Sequence, residues 1–242
     1  MRRKKVIIVA LLLSVVAIVL GGIKLYRVYK ARQCGILLAF DDYNAENWED
    51  YFDLFDKYNV KVTFFVSIDA PTDFCFRAIE RGHEIAYHTA THVNLTEISD
   101  DEIYFQAIEP IEVFREQGIE LSTFAYPTGA YTEELNELLL QHYNVLRGAW
   151  YYQLTGKHGM RHGFVESLSI DNIHFDSDEQ FRELIDSVLE ELSRNKGAVV
   201  GLYSHAISNG EWCVFPERLE YIFQRAQEMG IQFYTYKELQ QN

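Results

Sequence analysis

The sequence predicts an α/β domain folded as a distorted (β/α)7–8 barrel, with one N-terminal transmembrane helix in front of it. Seven or eight short runs of apolar, β-branched or aromatic residues alternate with amphipathic segments, a pattern typical of parallel strands joined by helices. Polar residues follow directly after several of these runs. Because barrels of parallel strands collect their chemistry at the carboxyl ends of the strands, this placement favours a barrel.

The predicted transmembrane helix is the uncharged run of 18 residues from Val6 to Ile23, just long enough to span a bilayer. No small-residue cleavage site follows it. We therefore expect residues 1–32 to form a basic cytoplasmic tail and an uncleaved signal anchor, with a cleaved signal peptide as the alternative. Basic residues flank both ends of the run, so the positive-inside rule does not fix its orientation. The expected location is the cell membrane, single-pass, with the catalytic domain of residues 33–242 outside the cytoplasm.

The remaining residues have the length of one barrel-type domain. Strands are predicted at Ile36–Phe40, Lys61–Val66, Glu84–Tyr87, Ser122–Tyr126, Val145–Gly148, Phe164–Ile170, Ala198–Tyr203 and Gln232–Tyr236. Helices are predicted at Ala45–Tyr58, Asp73–Arg81, Asp100–Gln117, Glu133–His142, Asp178–Asn195 and Pro216–Met229. Capping residues precede acidic first turns at Ser99, Thr132 and Ser177. Glycines stand where three helices should end, at Gly118, Gly197 and Gly230.

The balance of charge bears on the partners of the domain. Residues 1–32 hold eight basic and no acidic side chains, which leaves 14 basic and 36 acidic side chains and a net charge of about −22 in the rest. Such a surface repels nucleic acid and anionic polymers, so we expect no nucleic-acid partner and favour a neutral or weakly charged glycan. The three cysteines, Cys34, Cys75 and Cys213, indicate neither a zinc knuckle nor a disulfide framework.

Two adjacent carboxylates, Asp41 and Asp42, directly follow the apolar run Gly35–Phe40. An acidic pair is often only a solvated turn, but after a buried strand the two like charges repel each other unless a cation lies nearby. His88 and His92 follow another predicted strand and, four residues apart, would lie on one face of a helical turn and reach one ion. Together with Asp42 they would form a three-ligand site with a vacant position, the pattern of catalytic rather than structural zinc.

The same arrangement predicts a hydrolase. A water in the vacant position becomes a nucleophile near neutral pH. Asp41 could accept its proton, and His205, which follows the predicted strand Ala198–Tyr203, could donate a proton to the leaving group.

These motifs, in this order, resemble those of the polysaccharide deacetylases of carbohydrate esterase family 4, the NodB-homology group, over about residues 35–240. The Thr-Phe-Asp-Asp motif of that family appears here as Ala39–Asp42, and its His-[Ser/Thr]-x-x-His motif as His88–His92. Its Pro-[aromatic]-Gly motif appears as Pro127–Gly129, and its Leu-x-His motif is approximated by Leu202–His205.

The resemblance implies a role for each matching position: Asp41 is the catalytic base, His205 is the catalytic acid, and Asp42, His88 and His92 hold a divalent metal, with zinc favoured. It also implies that the backbone N–H of Thr128 stabilises the oxyanion. A backbone donor does not depend on the identity of the side chain, so threonine can replace the usual aromatic residue there.

Two positions depart from the family pattern. The third motif often begins with an arginine that orients the base, but the aligned residue here is Ala125. Arg147 lies at the carboxyl end of the next predicted strand and could pair with Asp41 instead, although it could also be a surface residue. For the fourth motif, an Asp with a following Trp, the best candidate is Asp171, which would in turn hold Arg147.

The expected function is therefore metal-dependent removal of acetyl groups from an N-acetylated cell-surface or extracellular polysaccharide, with an N-acetylglucosamine-containing glycan as the expected substrate. The alternatives are an O-acetyl polysaccharide esterase and a non-catalytic carbohydrate-binding domain. His83 lies at the start of its strand, where a structural role is favoured, whereas the run Trp150–Tyr152 follows a strand end and could stack on sugar rings.

Overall fold

The structure is a computed structural model that describes residues 33–149, 154–156 and 163–240. Its strands are β1 Gly35–Asp42, β2 Thr63–Val66, β3 Glu84–Tyr87, β4 Thr123–Ala125, β5 Val145–Gly148, β6 Thr155–Gly156, β7 Phe164–Ser169, β8 Ala198–Ser204 and β9 Gln232–Tyr234. Its α-helices are α1 Ala45–Glu49, α2 Phe52–Lys57, α3 Asp73–Glu80, α4 Asp100–Ile103, α5 Glu109–Glu116, α6 Glu133–Leu139, α7 Asp178–Arg194 and α8 Pro216–Met229.

Parallel pairing closes the strands into a barrel. In the described ranges seven strands form the ring β1–β2–β3–β4–β5–β7–β8, and β8 returns to pair with β1. The carboxyl half of β1 pairs with β2 from Ala39 to Asp42, whereas its amino half, Gly35 to Leu37, pairs with β9. The eighth parallel strand, β9, therefore pairs only at the amino end of β1. This distorts the barrel, as the sequence predicted. The two-residue strand β6, which runs antiparallel to β8, was not predicted.

Side chains alternate between two apolar layers, as the period of a strand requires. Leu37 and Ala39 of β1 belong to a cluster inside the barrel, together with Phe65 and Val165. Ile36, Leu38 and Phe40 of the same strand belong to the larger core between the barrel and its helices. Because Asp41 continues the inward series, the strand itself directs this carboxylate into the mouth of the barrel.

The amino end of the barrel is closed by a buried carboxylate. Glu84 accepts hydrogen bonds from the hydroxyls of Thr63 (2.8 Å) and Thr123 (2.7 Å) and from the backbone N–H of Lys237 (2.9 Å). Burial raises the pKa of Glu84, and these donors oppose the rise. His83 beside it is buried, and its Nδ1 accepts from the N–H of Val62. The structure therefore agrees with the structural role predicted for His83.

Two predicted helices depart from a regular α-helix. The helix predicted at Ala45–Tyr58 breaks into α1 and α2 at Asp50, and both pieces contribute buried aromatic side chains to the core. The helix predicted at Asp100–Gln117 is continuous but contains a π-helical turn at Tyr104–Ile108, directly before Pro110. Proline has no backbone N–H to continue the regular ladder, which accounts for the wider turn.

The predicted capping residues and terminal glycines are confirmed, although the helix predicted to end at His142 ends at Leu139. The hydroxyls of Ser99, Thr132 and Ser177 accept backbone N–H bonds at the starts of α4, α6 and α7, and Ser99 forms a capping box with Glu102. The three predicted terminal glycines adopt positive φ angles of 86°, 79° and 67°, at Gly118, Gly197 and Gly230. This left-handed backbone is favourable only for residues such as glycine, so local sequence fixes these boundaries.

The predicted anchor, Val6–Ile23, and the aromatic run Trp150–Tyr152 lie outside the described residues. Among the residues that are described, no helix is both long enough and apolar enough to cross a membrane.

Candidate active site

Asp41 is a buried carboxylate with one paired and one unpaired oxygen. Its side chain is 3% exposed, and its Oδ2 accepts a hydrogen bond from Nη2 of Arg147 at 2.5 Å. Its Oδ1 is buried and has no hydrogen-bond partner among the described residues. Burial raises the pKa of Asp41, and the charge of Arg147 limits the rise. A carboxylate of this kind, held at one oxygen and open at the other, can act as a general base.

Arg147 makes the contact that the sequence predicted for it. Its guanidinium is fully buried and packs over the rings of Phe65 (5.1 Å) and Tyr203 (4.5 Å). Arg147 is the register partner of Ala125 on the neighbouring parallel strand, so both residues belong to the same level of the barrel. An arginine on β5 can therefore reach the carboxylate that an arginine at position 125 would have reached, because the small side chain of Ala125 leaves the space open.

Asp171 holds the predicted acid and not Arg147, so that part of the sequence prediction was wrong. Its Oδ2 lies 2.8 Å from Nδ1 of His205, and its Oδ1 accepts from the hydroxyl of Ser204 at 2.5 Å. Burial lowers the pKa of His205, but the bond to Asp171 and the charge of Asp41 outweigh it and raise the pKa to about 9. His205 is therefore protonated near neutral pH, as a general acid must be.

The three predicted metal ligands come together at the rim. Nε2 of His92 lies 3.2 Å and Nε2 of His88 lies 3.7 Å from Oδ1 of Asp42. Two ligand atoms bound tetrahedrally to zinc at about 2.0–2.2 Å stand about 3.3–3.6 Å apart, so these separations suit one ion. Oδ1 of Asp42 is buried and lacks a hydrogen-bond partner within the described ranges, which also suits a cation.

The surroundings of His88 favour the neutral imidazole, which is the form that binds a metal. Its Nδ1 lies 2.8 Å from the carbonyl oxygen of Ala125, which requires the proton on Nδ1 and leaves a lone pair on Nε2. Burial, with the charge of Arg147, lowers the pKa of His88 to about 3. A donor set of one carboxylate and two imidazoles can hold a divalent ion and occurs in catalytic metal sites.

The loop that carries the histidines is not the helical turn predicted from their spacing. Residues 88–94 lack helical structure, and Thr89 and His92 adopt positive φ angles of 64° and 57°. The π-helical turn holds this loop, because Pro110 cannot bond to the carbonyl of Gln106. That carbonyl accepts instead from the N–H of Ala90 at 3.0 Å. The side-chain Oε1 of Gln106 accepts from the N–H and the hydroxyl of Thr91, at 3.1 and 3.2 Å.

Residues 44–48, which follow β1, hydrogen-bond to the backbone around His205. These contacts were not predicted from the sequence. The indole N–H of Trp48 donates to the carbonyl of His205 at 2.8 Å, and Asn44 donates to the same oxygen at 3.2 Å. Asn47 exchanges two hydrogen bonds with the backbone of Ile207. These partners are 157–161 positions apart, so no short motif marks them.

Backbone strain concentrates at this end of the barrel. Of the five non-glycine residues with positive φ in the described ranges, four belong to the predicted site motifs: Asp42 (75°), Thr89 (64°), His92 (57°) and Thr128 (58°). Such conformations cost on the order of 1–3 kcal/mol each and persist where the surroundings enforce them, most often at functional sites. Thr128 lies in the 3-10 turn Pro127–Gly129 directly after β4. This position at a strand end agrees with the prediction.

Comparison with known proteins agrees with this geometry. Residues 29–144 match the family described as polysaccharide deacetylase. The peptidoglycan-N-acetylglucosamine deacetylase PgdA of Listeria monocytogenes is 30% identical over 129 residues, which cover 50% of this chain and 28% of that protein. The chain thus matches little more than a quarter of the length of that relative.

Solved structures share the fold. The peptidoglycan deacetylase PdaC of Bacillus subtilis superposes with a TM-score of 0.57 at 19% identity, covering 87% of this chain and 92% of that chain. A family 4 acetyl xylan esterase from Clostridium thermocellum, solved in complex with a cobalt ion, superposes with a TM-score of 0.59 at 20% identity, covering 84% and 89%. At these identities the likeness establishes the architecture alone.

Proposed function

We propose that this chain, whose residues 29–144 match the polysaccharide deacetylase family, is a metal-dependent hydrolase that removes acetyl groups from an N-acetylated glycan outside the cytoplasm. The observation that carries the proposal is the pairing of two sites in one barrel mouth. Asp42, His88 and His92 offer ligands to a cation, and the buried Asp41 beside them keeps one unpaired oxygen. Binding alone needs no such base, which argues against the non-catalytic alternative.

Each residue of the site has its own role in the proposed reaction. A bound divalent ion, for which we propose zinc, would polarise the acetyl carbonyl and activate a water. Asp41 takes a proton from that water through Oδ1, while Arg147 keeps the carboxylate ionised and fixed. The backbone N–H of Thr128 stabilises the oxyanion formed when the water oxygen adds to the carbonyl carbon.

His205 completes the reaction. Its imidazolium donates a proton to the leaving nitrogen as the C–N bond breaks, which yields acetate and a free amine. Asp171 stabilises the protonated ring and orients it through Nδ1. Amine departure requires a proton, so the raised pKa of His205, about 9, favours N-deacetylation.

The substrate we propose is a glycan that contains N-acetylglucosamine. The Listeria relative is named for that chemistry on peptidoglycan, and the high negative charge of residues 33–242 disfavours anionic polymers. O-deacetylation of a polysaccharide is the second candidate, because the same machinery would serve it and the Clostridium neighbour is an acetyl xylan esterase.

Acetate release tests the proposal. The protein should release acetate from chito-oligosaccharides or peptidoglycan fragments, and a chelator should abolish the release; faster release from acetylated xylan would favour the esterase. Asp41→Asn should keep the metal and lose about 10²–10⁴-fold in kcat, because it removes the base. Asp42→Asn should lose metal. Equal metal loss in both variants would contradict the division into base and ligand, and no release from any of these glycans would contradict the function.

A further inference from the structure

A large aromatic side chain stands exposed beside the acid. Trp212 lies on the loop after β8 and is 56% exposed. The edge of one ring meets the face of the other where Trp212 packs on His205 (centroids 5.8 Å, interplanar angle 85°) and on His174 (6.2 Å, 85°). An exposed aromatic ring beside a reaction centre offers an apolar face on which a ligand can stack.

The loop that carries Trp212 is fixed before any ligand binds. The backbone N–H groups of Asn172 and Ile173 donate to the carbonyls of Cys213 (2.7 Å) and Glu211 (2.9 Å), which flank the tryptophan. The side chain of Asn172 donates to the carbonyl of Gly210 at 2.8 Å. A preorganised platform loses little conformational entropy on binding, so the stacking energy is available for affinity.

A cavity of about 430 Å³ adjoins this surface through residues that contact Trp212 or His205. His174, which contacts Trp212, lines it, and so does Tyr203, whose ring lies 5.9 Å from that of His205 and 4.5 Å from the guanidinium of Arg147. The lining combines the apolar Phe175 and Leu184 with the polar His174, whereas the hydroxyls of its two serines are already bonded within the protein. This volume and mixture suit a small, mostly uncharged ligand.

We propose that Trp212 and the adjoining cavity form a sugar subsite that binds a pyranose unit next to the one being deacetylated. A pyranose ring has an apolar C–H face that matches a flat indole and a rim of hydroxyls that can bond to a polar side chain such as His174. This assignment rests on the proposed function. It makes Trp212 a specificity residue that selects oligomeric substrate, while Asp41 and His205 act on the acetyl group of the unit beside it.

Kinetics on substrates of two lengths tests the subsite. For chitotetraose, Trp212→Ala should raise KM and lower kcat/KM about tenfold, because an aromatic stacking contact is worth roughly that factor. Trp212→Phe should lie between the parent and Trp212→Ala. For monomeric N-acetylglucosamine, which is too short to reach the platform but releases an amine that needs the same acid, kcat/KM should be unchanged in both variants. Phe76→Ala, which removes another exposed aromatic residue, from α3, should change neither substrate.

The outcomes separate the subsite from the function. Equal losses on both substrates would show that Trp212 acts only by packing against His205, and unchanged kinetics on chitotetraose would show that no sugar stacks there; either result overturns the subsite. A parent protein inactive on every acetylated glycan would overturn the proposed function instead. Binding of fully deacetylated chitotetraose, followed by tryptophan fluorescence, gives a readout without turnover: the parent should show a change that Trp212→Phe lacks.

Discussion

Removal of Arg147 should disable the base without emptying the metal site. Arg147 and Asp41 have side chains that are 0% and 3% exposed, so the pair is shielded from water. Loss of one member of a buried pair leaves the other charge uncompensated, at a cost of about 3–5 kcal/mol in the free energy of unfolding. For a domain of this size that corresponds to a fall of about 6–20 °C in Tm.

Asp41 can avoid the cost of a buried, uncompensated charge by taking up a proton. Burial already raises the pKa of Asp41, and the loss of the guanidinium would raise it further. The carboxyl would then be partly protonated near neutral pH and unable to accept a proton from water. We therefore expect Arg147→Met, which preserves most of the packing between Phe65 and Tyr203, to lose about 10²–10⁴-fold in kcat. Activity should recover partly as pH rises, since the deprotonated fraction of Asp41 grows.

The assay is acetate release over a range of pH, with metal content and Tm measured on the same samples. Arg147→Lys should be intermediate, because a lysine keeps the charge but not the planar donor geometry. The double variant Arg147→Met, Ala125→Arg places an arginine on the neighbouring strand, at the register partner of position 147. It should recover part of kcat. Unchanged kcat and an unchanged pH profile in Arg147→Met would refute the role given to Arg147, and loss of metal would show that it acts on the ligands.

Three further outcomes follow from the geometry. Asp171→Asn removes the carboxylate that raises the pKa of His205 to about 9. Because the acid works only when protonated, the basic limb of the pH–rate profile should move to lower pH; an unmoved limb would contradict the pairing. Gln106→Ala frees the loop at Thr91 and should weaken zinc affinity about tenfold in a competition titration, whereas equal affinity would show that the loop needs no such support. The full-length chain should remain in the membrane fraction through a high-salt wash because of residues 6–23; a mature form beginning after them would indicate a cleaved signal.

Local patterns predicted the elements and their ends well. Strand β5 and helix α8 have the predicted bounds, because neighbouring residues mark their ends, as Pro216 does at the start of α8. The π-helical turn could also have been suspected from Pro110 inside an otherwise helical run. The break at Asp50 could not, since no proline or glycine marks it. The left-handed loop at His88–His92 could not either, because Gln106 holds it from a distance and the spacing of the histidines fits a helix equally well.

Site residues were predictable from the sequence where a residue type at the end of a strand identifies the role. Arg147 was found because parallel neighbours share a level of the barrel, so a missing arginine on one strand directs attention to the next. The partner of Asp171 was assigned wrongly, because several cationic groups meet at the mouth and spacing cannot rank their distances. Trp212 gave no sequence signal, since an exposed tryptophan in a loop reads the same whether or not a reaction centre lies beside it.

Strained backbone places the ligand atoms of the candidate metal site. Asp42 and His92 both adopt left-handed backbone, and both offer ligand atoms to the same point. Regular strand geometry would send Asp42 to the opposite face from Asp41, so the strained φ angle lets two adjacent carboxylates serve one mouth in different roles. The strain is opposed by contacts outside the ligand set, including those that Gln106 makes to the histidine loop. The precision of the site therefore depends on the helix behind it as much as on the ligands, which is why a substitution that touches no ligand should still lower metal affinity.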